Sequence, residues 1–502
     1  MSGSTTLLVR FSGDLTTKSR GTRVHFVRRL ARNVRDALNR EEVAGRVERR
    51  WSRLLVHCED PRAVDILSRV FGVQSVSRAT TRPWQTLEEI VAAGTEIFAA
   101  AVADKSFAVR ARRSGDRRNM PFNSLAVERA LGKSLLEFAH EVDLDDPEIT
   151  AHVEIHPRHA YYFDSVVRGP GGLPLGVEGR ALALISGGFD SAVAAWQMMK
   201  RGVELDFLFF NIGGAAHADG VLKVSKLLSD NWIFGSRPTL YSLDFQPVVE
   251  ALQGSTGPRY WQILLKRQMM RTGERVAAEA GLPALVTGEA MGQVSSQTLP
   301  NLALIERATD ILVMRPLIAY NKDDIVRLAR QIGTYDLSAQ VDEFCAMLAK
   351  NPATAASQEA IEREEEKLPG DLDDRVYASL QSIELRQVTT SHPQAARLEV
   401  DEIPPGARVV DLRSRTAYDA WHPEGAEWMD YFSAIRDLGR FDTGAEWVIV
   451  CEIGLKSAHL AERLDEVGIS ARHVAGGIRT LVRKASSEEP LLESLLAPAV
   501  RD

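Results

Sequence analysis

Short apolar runs alternate with longer segments of mixed polarity between residues 181 and 340. The apolar runs are, in order, ALALIS, LDFLFF, TLYSLDF, ALVTGE and DILVMRPL. Runs of this length favour buried strands, and the segments between them have the length and composition of helices. This order predicts a parallel, doubly wound sheet, whose ligand would bind at the carboxyl ends of the strands.

The pattern before residue 170 predicts two smaller α+β units. The first unit contains the strands TLLVRF, RLLVHCE and QSVSRATT, with a helix after the first strand. That helix places apolar residues at steps of three and four, namely Val24, Val27, Ala31, Val34 and Leu38. The second unit combines a helix near 86–103 and the helix SLAVERALGKSLLEFAH with the strands SFAVRARRS, ITAHVEIHP and HAYYFDSVV.

Two changes of composition mark domain boundaries. The Gly- and Pro-rich stretch RGPGGLPLGVEGR at 168–180 indicates a connector, and the acidic tract EAIEREEEKLPGDLDD indicates a solvated helix or linker. After this tract, RVVDLRS, WVIVCEIG and ARHVAGG again alternate with helical segments. We therefore expect domains at residues 1–80, 81–170, 171–350 and 385–502, with a linker at 351–384.

Composition places the chain among soluble globular proteins, with 45% hydrophobic and 26% charged residues. The first apolar run is too short for a signal peptide, and the longest Ala-rich stretch is too short to span a bilayer. The three cysteines, Cys58, Cys345 and Cys451, are too few and too far apart for a disulfide framework or a metal cluster. We therefore expect a cytoplasmic protein.

The net charge of −7 means that any contact with nucleic acid must come from a local basic patch. One patch lies in residues 18–53, which hold twelve Lys or Arg against four Asp or Glu, and a second spans 110–118. A charged face is usually only solvated, and this alternative stays open for each patch. The candidate phosphate-binding residues are Arg28, Arg32, Arg35, Arg110, Arg112, Arg113, Arg117 and Arg118.

The segment SGGFDS joins the strand ALALIS to an apolar helix. Such a turn presents backbone N–H groups and a helix N-terminus to an anion. No Lys-Ser or Lys-Thr pair follows it, so it is not the P-loop of a nucleoside triphosphatase. Asp190 would repel a bare phosphate but suits a Mg²⁺ ion held between phosphates. Taken alone, the segment is also compatible with an ordinary connection between a strand and a helix.

Cys451 follows the apolar strand EWVIV and precedes a loop and a helix that begins at Ser457. This order directs loop amides and a helix N-terminus at the sulfur, which favours a thiolate or an anionic persulfide. Lys456 would add to this effect, and Glu452 would oppose it unless it points away. A free cysteine is more commonly a small buried residue, and this is the role that we expect for Cys58.

SGGFDS resembles the PP-loop of the ATP pyrophosphatase superfamily, and the motifs around it narrow the resemblance. FFNIGGAAH, KRQMMR, VTGEAMGQVSSQTLPNL, RPLIAYNKDDI and IGTYDLSAQVDEFC are similar, in order, to the tRNA 4-thiouridine synthase (ThiI) family. The resemblance covers essentially the whole chain. It implies ferredoxin-like and THUMP modules of α+β type, then a doubly wound PP-loop domain, then an α/β rhodanese domain. Ala192 departs from the proline that is frequent there, but alanine is an excellent helix former.

The resemblance also implies a nucleotide site around the glycine loop. The residues expected to hold ATP are Leu184, Ile185, Ser186, Gly187, Gly188, Ser191, Phe210, Lys266, Gly288 and Gln297. Phe210 is expected beside the adenine, Asp190 on Mg²⁺, and Lys322 near the phosphates. Without the resemblance, a lone lysine is usually a solvated surface residue. Cys451 matches the persulfide carrier of a rhodanese loop, and Cys345 matches a resolving thiol that forms a transient disulfide with it.

These features together predict ATP-driven insertion of sulfur into tRNA. A pyrimidine carbonyl oxygen leaves poorly, so adenylation would activate it before persulfide sulfur replaces it. The resemblance implies 4-thiouridine at tRNA position 8 as product, a cysteine desulfurase as sulfur donor, and a sulfur-carrier protein of thiamine synthesis as a second recipient. Two alternatives stay open, namely a sulfur carrier that does not modify RNA and a passive RNA-binding protein with decayed catalytic domains.

Overall fold

The computed structural model describes residues 5–50, 52–114, 121–341, 351–388 and 397–486. The chain divides into two compact units. The first comprises residues 1–179, 199–204 and 231–236, and the second comprises residues 180–198, 205–230 and 237–502. No helix in the described ranges is both long and apolar enough to cross a membrane.

The first unit is built on a sheet that contains both predicted α+β modules. Its strands are β1 (Thr5–Phe11), β2 (Arg46–Arg49), β3 (Arg53–His57), β4 (Val73–Pro83), β5 (Ser106–Arg113), β6 (Glu141–Val142), β7 (Ile149–Ile155), β8 (His159–Phe163) and β9 (Val167–Arg168). Their order is β2-β3-β1-β4-β8-β7-β5-β6, and β9 pairs with β4. The two modules join where β4 pairs with β8 in antiparallel fashion.

The described part of this unit also contains the helices α1 (Gly13–Thr16), α2 (Arg20–Arg40), α3 (Ala63–Leu67), α4 (Leu87–Val102) and α5 (Ser124–Leu135). Two of them begin at side-chain caps. Thr86 accepts a hydrogen bond from the backbone N–H of Glu89, and Asn123 accepts one from that of Ala126. Cys58 is buried in the core beneath α2, as expected for a structural cysteine.

The buried face of α2 differs from the predicted one in its second turn. Val24 is 41% exposed, whereas Phe26 is buried. The residues that α2 buries are Phe26, Leu30, Ala31, Asn33, Val34, Ala37 and Leu38. Phe26 and Leu30 continue the row of Val34 and Leu38 at steps of four, so this row rather than Val24 faces the core.

The predicted doubly wound domain occupies the first part of the second unit. Its strands are β10 (Arg180–Leu184), β11 (Glu204–Asn211), β12 (Thr239–Asp244), β13 (Ala284–Val286) and β14 (Leu312–Met314). Its helices are α6 (Phe189–Lys200), α7 (Gly214–Trp232), α8 (Gln246–Ser255), α9 (Trp261–Glu279), α10 (Leu299–Glu306), α11 (Lys322–Ile332) and α12 (Tyr335–Ser338). A 3₁₀ turn lies at Ser295–Gln297.

The acidic segment expected to be a linker, 351–384, lies against this domain. It forms α13 (Gln358–Glu365), α14 (Leu372–Tyr377) and β15 (Gln381–Glu384). The sheet order is β14-β13-β10-β11-β12-β15, with β15 antiparallel to β12 at the edge. Ile361, Leu372 and Val376 belong to the apolar core, so the segment is amphipathic rather than fully solvated.

The C-terminal domain is a second parallel α/β structure. Its strands β16 (Glu399–Val400), β17 (Arg408–Asp411), β18 (Glu427–Trp428), β19 (Trp447–Val450) and β20 (Ala471–Val474) follow the order β16-β20-β19-β17-β18. Its helices are α15 (Arg415–Ala420), α16 (Tyr431–Arg436), α17 (Leu455–Glu466) and α18 (Ile478–Ser486), with a 3₁₀ turn at Leu438–Arg440. The central strand β19 is fully buried, and its carboxyl end leads directly to Cys451. The predicted multidomain α+β and α/β fold class is thus confirmed.

Candidate active site

The glycine loop lies at the carboxyl end of β10, between β13 and β11. The hydroxyl of Ser191 holds the loop together, because it accepts from the backbone N–H of Ser186 at 3.2 Å and donates to the carbonyl of Gly188 at 3.1 Å. Gly288, after β13, approaches the loop closely: a Cβ there would lie 2.7 Å from the backbone of Asp190 and Ser191. Because β10 is one of the two central strands, the loop lies near the middle of the edge formed by the carboxyl ends of the strands.

A cavity beside this loop collects nearly all the residues expected at the nucleotide site. The predicted residues that line it are Leu184, Ile185, Ser186, Gly188, Asp190, Ser191, Phe210, Lys266, Gly288 and Gln297. Gly187 belongs to the loop but is on its other side, where a Cβ would meet the side chains of Val221 and Val341. The lining is apolar toward Phe210, Ile212 and Met270 and polar toward the loop, which suits an aromatic base at one end and phosphates at the other.

Asp190 and Lys322 form an ion pair at the mouth of the loop. The Nζ atom of Lys322, the first residue of α11, lies 2.9 Å and 3.2 Å from the two carboxylate oxygens of Asp190. The side-chain amide of Gln293 donates to the same carboxylate at 3.0 Å. The cap of α11 fixes Lys322, since the side chain of Asn321 accepts from the backbone N–H of Asp324. The structure thus brings together two predicted residues that are 132 positions apart.

Lys266 is held by a buried carboxylate that the sequence analysis did not single out. Glu289 is 3% exposed and bridges Lys266 at 2.9 Å and Arg315 at 2.8 Å, and it accepts from the hydroxyl of Thr287. Burial alone would raise the pKa of Glu289. The charges and hydrogen bonds of Lys266 and Arg315 outweigh burial and lower this pKa to about 2. Glu289 is therefore ionised at neutral pH and fixes the ammonium group of Lys266 in the cavity wall.

His217 also lines the cavity and was not predicted. Its Nε2 atom lies 3.3 Å from the carbonyl oxygen of Ser186, to which it donates. Burial lowers the pKa of His217 to about 4, against the opposing effect of this hydrogen bond, so the imidazole is neutral at pH 7. His217, Glu289 and Gln293 all lie inside the motifs NIGGAAH and VTGEAMGQVSSQT. Their place in these motifs was the only sequence signal that pointed to them.

Cys451 lies in a loop between β19 and α17. Its Sγ atom accepts from the backbone N–H of Gly454 at 3.2 Å and of Ser457 at 3.4 Å, and the Ser457 hydroxyl lies 3.3 Å away. The sulfur is buried. Two amides at the N-terminus of α17 therefore face it, as the order of strand, loop and helix predicts, and this arrangement stabilises negative charge on sulfur.

The candidate RNA-binding arginines differ in their surroundings. Arg28, Arg32 and Arg35 are exposed along α2, as are Arg110 and Arg112 on one face of β5. Arg113 points to the other face and donates to the carbonyl of Phe122. Among the exposed ones, Arg110 donates to the carbonyl of Leu144 and Arg35 to that of Val47. Arg117, Arg118 and Cys345 lie outside the described residues, so their predicted roles stay predictions.

The fold and the site together define a class of protein: a PP-loop domain that is followed by a second parallel α/β domain with a buried cysteine at the end of its central strand. Family models match residues 6–77 as a ThiI ferredoxin-like domain, 85–162 as a THUMP domain and 176–369 as thiamine biosynthesis protein (ThiI). The tRNA sulfurtransferase of Pyrobaculum aerophilum is 37% identical over 465 residues, which cover 91% of this chain and 94% of that protein. The chain therefore belongs to the ThiI family of tRNA sulfurtransferases.

Two further relatives agree with this assignment. The tRNA sulfurtransferase of Escherichia coli O139:H28 is 32% identical over 477 residues, covering 92% of this chain and 98% of that protein. A crystal structure of a 4-thiouridine synthetase–RNA complex with bound ATP is 28% identical, with a TM-score of 0.66. The similarity covers 76% of this chain and 99% of that one.

Proposed function

We propose that this protein is an ATP-dependent tRNA sulfurtransferase that converts the uridine at tRNA position 8 to 4-thiouridine. The observation that carries the proposal is the presence, in one compact unit, of a PP-loop cavity and of a cysteine held by two loop amides. The first supplies an adenylation site, and the second supplies a sulfur carrier. The first assignment is supported by a solved relative, a 4-thiouridine synthetase with bound ATP and RNA.

ATP would lie with its base toward Phe210 and its phosphates toward the glycine loop, with Lys266 and Lys322 as the cations nearest to them. Asp190 would hold Mg²⁺ together with phosphate oxygens, since this ion is usually bound by one or two carboxylates plus substrate phosphates. The bound ion supplies charge neutralisation for the leaving pyrophosphate. Because Lys322 contacts both oxygens of Asp190, Lys322 would have to shift toward the phosphates when the nucleotide enters.

Adenylation turns a poor leaving group into a good one. The O4 atom of the uracil attacks the α-phosphorus of ATP while N3 of the base loses its proton to solvent, the bond from that phosphorus to the oxygen that bridges the α- and β-phosphates breaks, and pyrophosphate leaves. The backbone N–H groups of the glycine loop and the two lysines stabilise the charge that develops on the departing phosphates. The product of this step is an O4-adenylated uridine, which loses AMP readily when a nucleophile attacks C4.

Sulfur then comes from a persulfide on Cys451, which a cysteine desulfurase would load. The terminal sulfur attacks C4 and AMP leaves, so that sulfur links the base to Cys451. The thiolate of Cys345 attacks the Sγ atom of Cys451, which releases 4-thiouridine and leaves a Cys345–Cys451 disulfide. A cellular dithiol supplies the two electrons that reopen this disulfide. The same persulfide would serve a sulfur-carrier protein of thiamine synthesis.

The test is incubation of the full chain with unmodified tRNA, ATP, Mg²⁺, cysteine and a cysteine desulfurase, scored for 4-thiouridine. Cys451→Ala should abolish the product and leave tRNA-dependent release of pyrophosphate. Asp190→Ala should abolish pyrophosphate release and leave persulfide on Cys451. Cys58→Ala, which changes a core cysteine, is the matched control and should retain activity. Full activity of Cys451→Ala would refute the relay, and absence of product with the unaltered chain would refute the proposed function.

A further inference from the structure

The C-terminal domain contacts the PP-loop domain at the first turn of α7. The Oε2 atom of Glu462, on α17, accepts a hydrogen bond from the backbone N–H of Ala215 at 2.9 Å. Gly214 permits this approach, because a Cβ there would lie 2.3 Å from the Glu462 carboxylate and 2.9 Å from the ring of His459. A carboxylate in this position pairs an otherwise unsatisfied amide and complements the helix dipole. Glu462 thus acts as a helix cap that another domain supplies.

The same turn of α7 contacts the nucleotide site. His217, two residues after Ala215, donates from Nε2 to the carbonyl of Ser186 in the glycine loop. Two residues of an α-helix correspond to about 3 Å along its axis. The amide that meets the C-terminal domain and the imidazole that meets the glycine loop therefore belong to one helical turn, so a displacement of this turn would be felt at both contacts.

The N-terminal end of α17 holds the sulfur. Ser457 contacts the Sγ atom of Cys451, and Glu462 lies five residues further along the same helix. This separation is about 8 Å along the helix axis. Because α17 is a continuous helix, the contact between Glu462 and α7 also sets where Cys451 lies relative to the glycine loop.

Other contacts join the two domains beside it, among them an ion pair in which Arg463 of α17 lies 3.6 Å from Glu250 of α8. On one side, Tyr431 and Ile435 of α16 lie near Ile212 and Val249 of the PP-loop domain. On the other side, a cavity of ≈ 260 Å³ separates the two domains. Its polar lining includes Asn211, Ser242, Asp244, Gln246, Arg463 and Glu466. The apolar core also continues across the interface. Glu462 is thus one of several contacts between the two domains, and its hydrogen bond is made to the helical turn that carries His217.

We propose that residues 214–217 form the docking site for the sulfur-carrying domain, and that Glu462 is a positioning residue that sets Cys451 against the nucleotide site. This inference rests on the proposed function. Loss of the contact should leave adenylation at the nucleotide site and sulfur transfer at Cys451 intact, because each site keeps its own residues. It should slow only the delivery of sulfur from Cys451 to the adenylated base, because the orientation of the two sites is lost.

The experiment compares Glu462→Ala, Glu462→Gln and the control Glu427→Ala in the full chain. Glu427 pairs with Arg408 inside the C-terminal domain, at 2.6 Å, and offers a similar loss of a carboxylate away from α7. Three rates are measured: sulfur transfer from thiosulfate to cyanide, tRNA-dependent pyrophosphate release, and single-turnover formation of 4-thiouridine from preloaded Cys451 persulfide. Glu462→Ala should lower the third rate about tenfold and change the first two by less than about twofold. Glu462→Gln should retain most of the third rate, because its amide oxygen still accepts from Ala215.

Each other outcome overturns the inference. If Glu462→Ala forms 4-thiouridine at the normal rate, docking does not depend on this contact. If it also loses sulfur transfer to cyanide, Glu462 is a structural residue of the C-terminal domain. If Glu427→Ala shows the same loss of coupling, the effect is not specific to α7. Absence of 4-thiouridine with the unaltered chain would instead refute the proposed function, which separates the two failures.

Discussion

Replacement of Glu289 by glutamine should destabilise the PP-loop domain, because it leaves two cations without their shared counter-charge. The side chains of Lys266 and Arg315 are only 19% and 14% exposed, and that of Glu289 is 4% exposed. Glutamine has nearly the same size and keeps an acceptor oxygen for the hydroxyl of Thr287. The substitution therefore removes the negative charge and little else.

The pKa of Glu289 gives the magnitude of this effect. Burial alone would raise it, but Lys266 and Arg315 lower it from the ordinary 4.5 to about 2, which corresponds to about 3 kcal/mol. Removal of one partner from a buried ion pair typically costs about 3–5 kcal/mol, which agrees with the value that the pKa of Glu289 gives. Because the folded-state pKa is the lower one, this stabilisation is complete above pH 4.5 and is lost as the pH falls toward 2.

Hydrogen exchange of the β13 amides is the suitable assay, since a multidomain chain does not unfold in one step. Glu289→Gln should lower the free energy of opening of β13 at pH 7 by about 3 kcal/mol. The control Glu306→Gln removes a 48% exposed partner of the same Arg315 and should cost less than about 1 kcal/mol. Equal, small losses for both variants would show that Glu289 is not the counter-charge of a buried pair.

Five further outcomes follow from the geometry. Lys322→Met should slow tRNA-dependent pyrophosphate release without affecting sulfur transfer from thiosulfate to cyanide; an unchanged rate would remove Lys322 from the phosphates. Arg32→Ala should weaken tRNA binding and lower its salt slope by about 1, measured by titration at several salt concentrations. Arg29→Ala should instead lower the melting temperature, because the guanidinium of Arg29 donates to the carbonyl of Leu175. Weaker tRNA binding for Arg29→Ala together with a lower melting temperature for Arg32→Ala would contradict the roles given to both residues. Ser457→Ala should slow sulfur transfer to cyanide about tenfold, since it removes a hydroxyl 3.3 Å from sulfur, and normal transfer would refute this. Chelation of Mg²⁺ should weaken ATP binding in calorimetry, and equal affinities would argue against a metal at Asp190.

Local features of both sites were predictable from the sequence. The glycine loop and the loop after Cys451 each follow a buried strand and precede a helix within a few residues, so strand order and turn composition determine where their amides point. The pairing of Asp190 with Lys322 was not predictable in this way. It joins residues from opposite ends of the domain, and only the family resemblance connected them.

Three other features could not be predicted, because the local sequence pattern favours a different structure at each of them. Glu289 looks like a surface residue in sequence, since nothing local shows that Lys266 and Arg315 converge on it. The acidic tract at 359–374 looks solvated, yet Ile361 on α13 packs into the core. The second turn of α2 contains both Val24 and Phe26, and periodicity alone does not choose which of them faces the core.

The charges around the cavity explain how a phosphate loop works without its own lysine. Lys266, Arg315 and Lys322 supply three positive charges, and Glu289 and Asp190 supply two negative charges. At most one positive charge is in excess, because Arg315 also contacts Glu306 on its solvent side. The three phosphates of ATP carry a charge on the order of −4, so these side chains cannot neutralise them alone. This deficit is the reason to propose a divalent cation at Asp190, which would also free Lys322 from that carboxylate to place its charge beside the departing pyrophosphate.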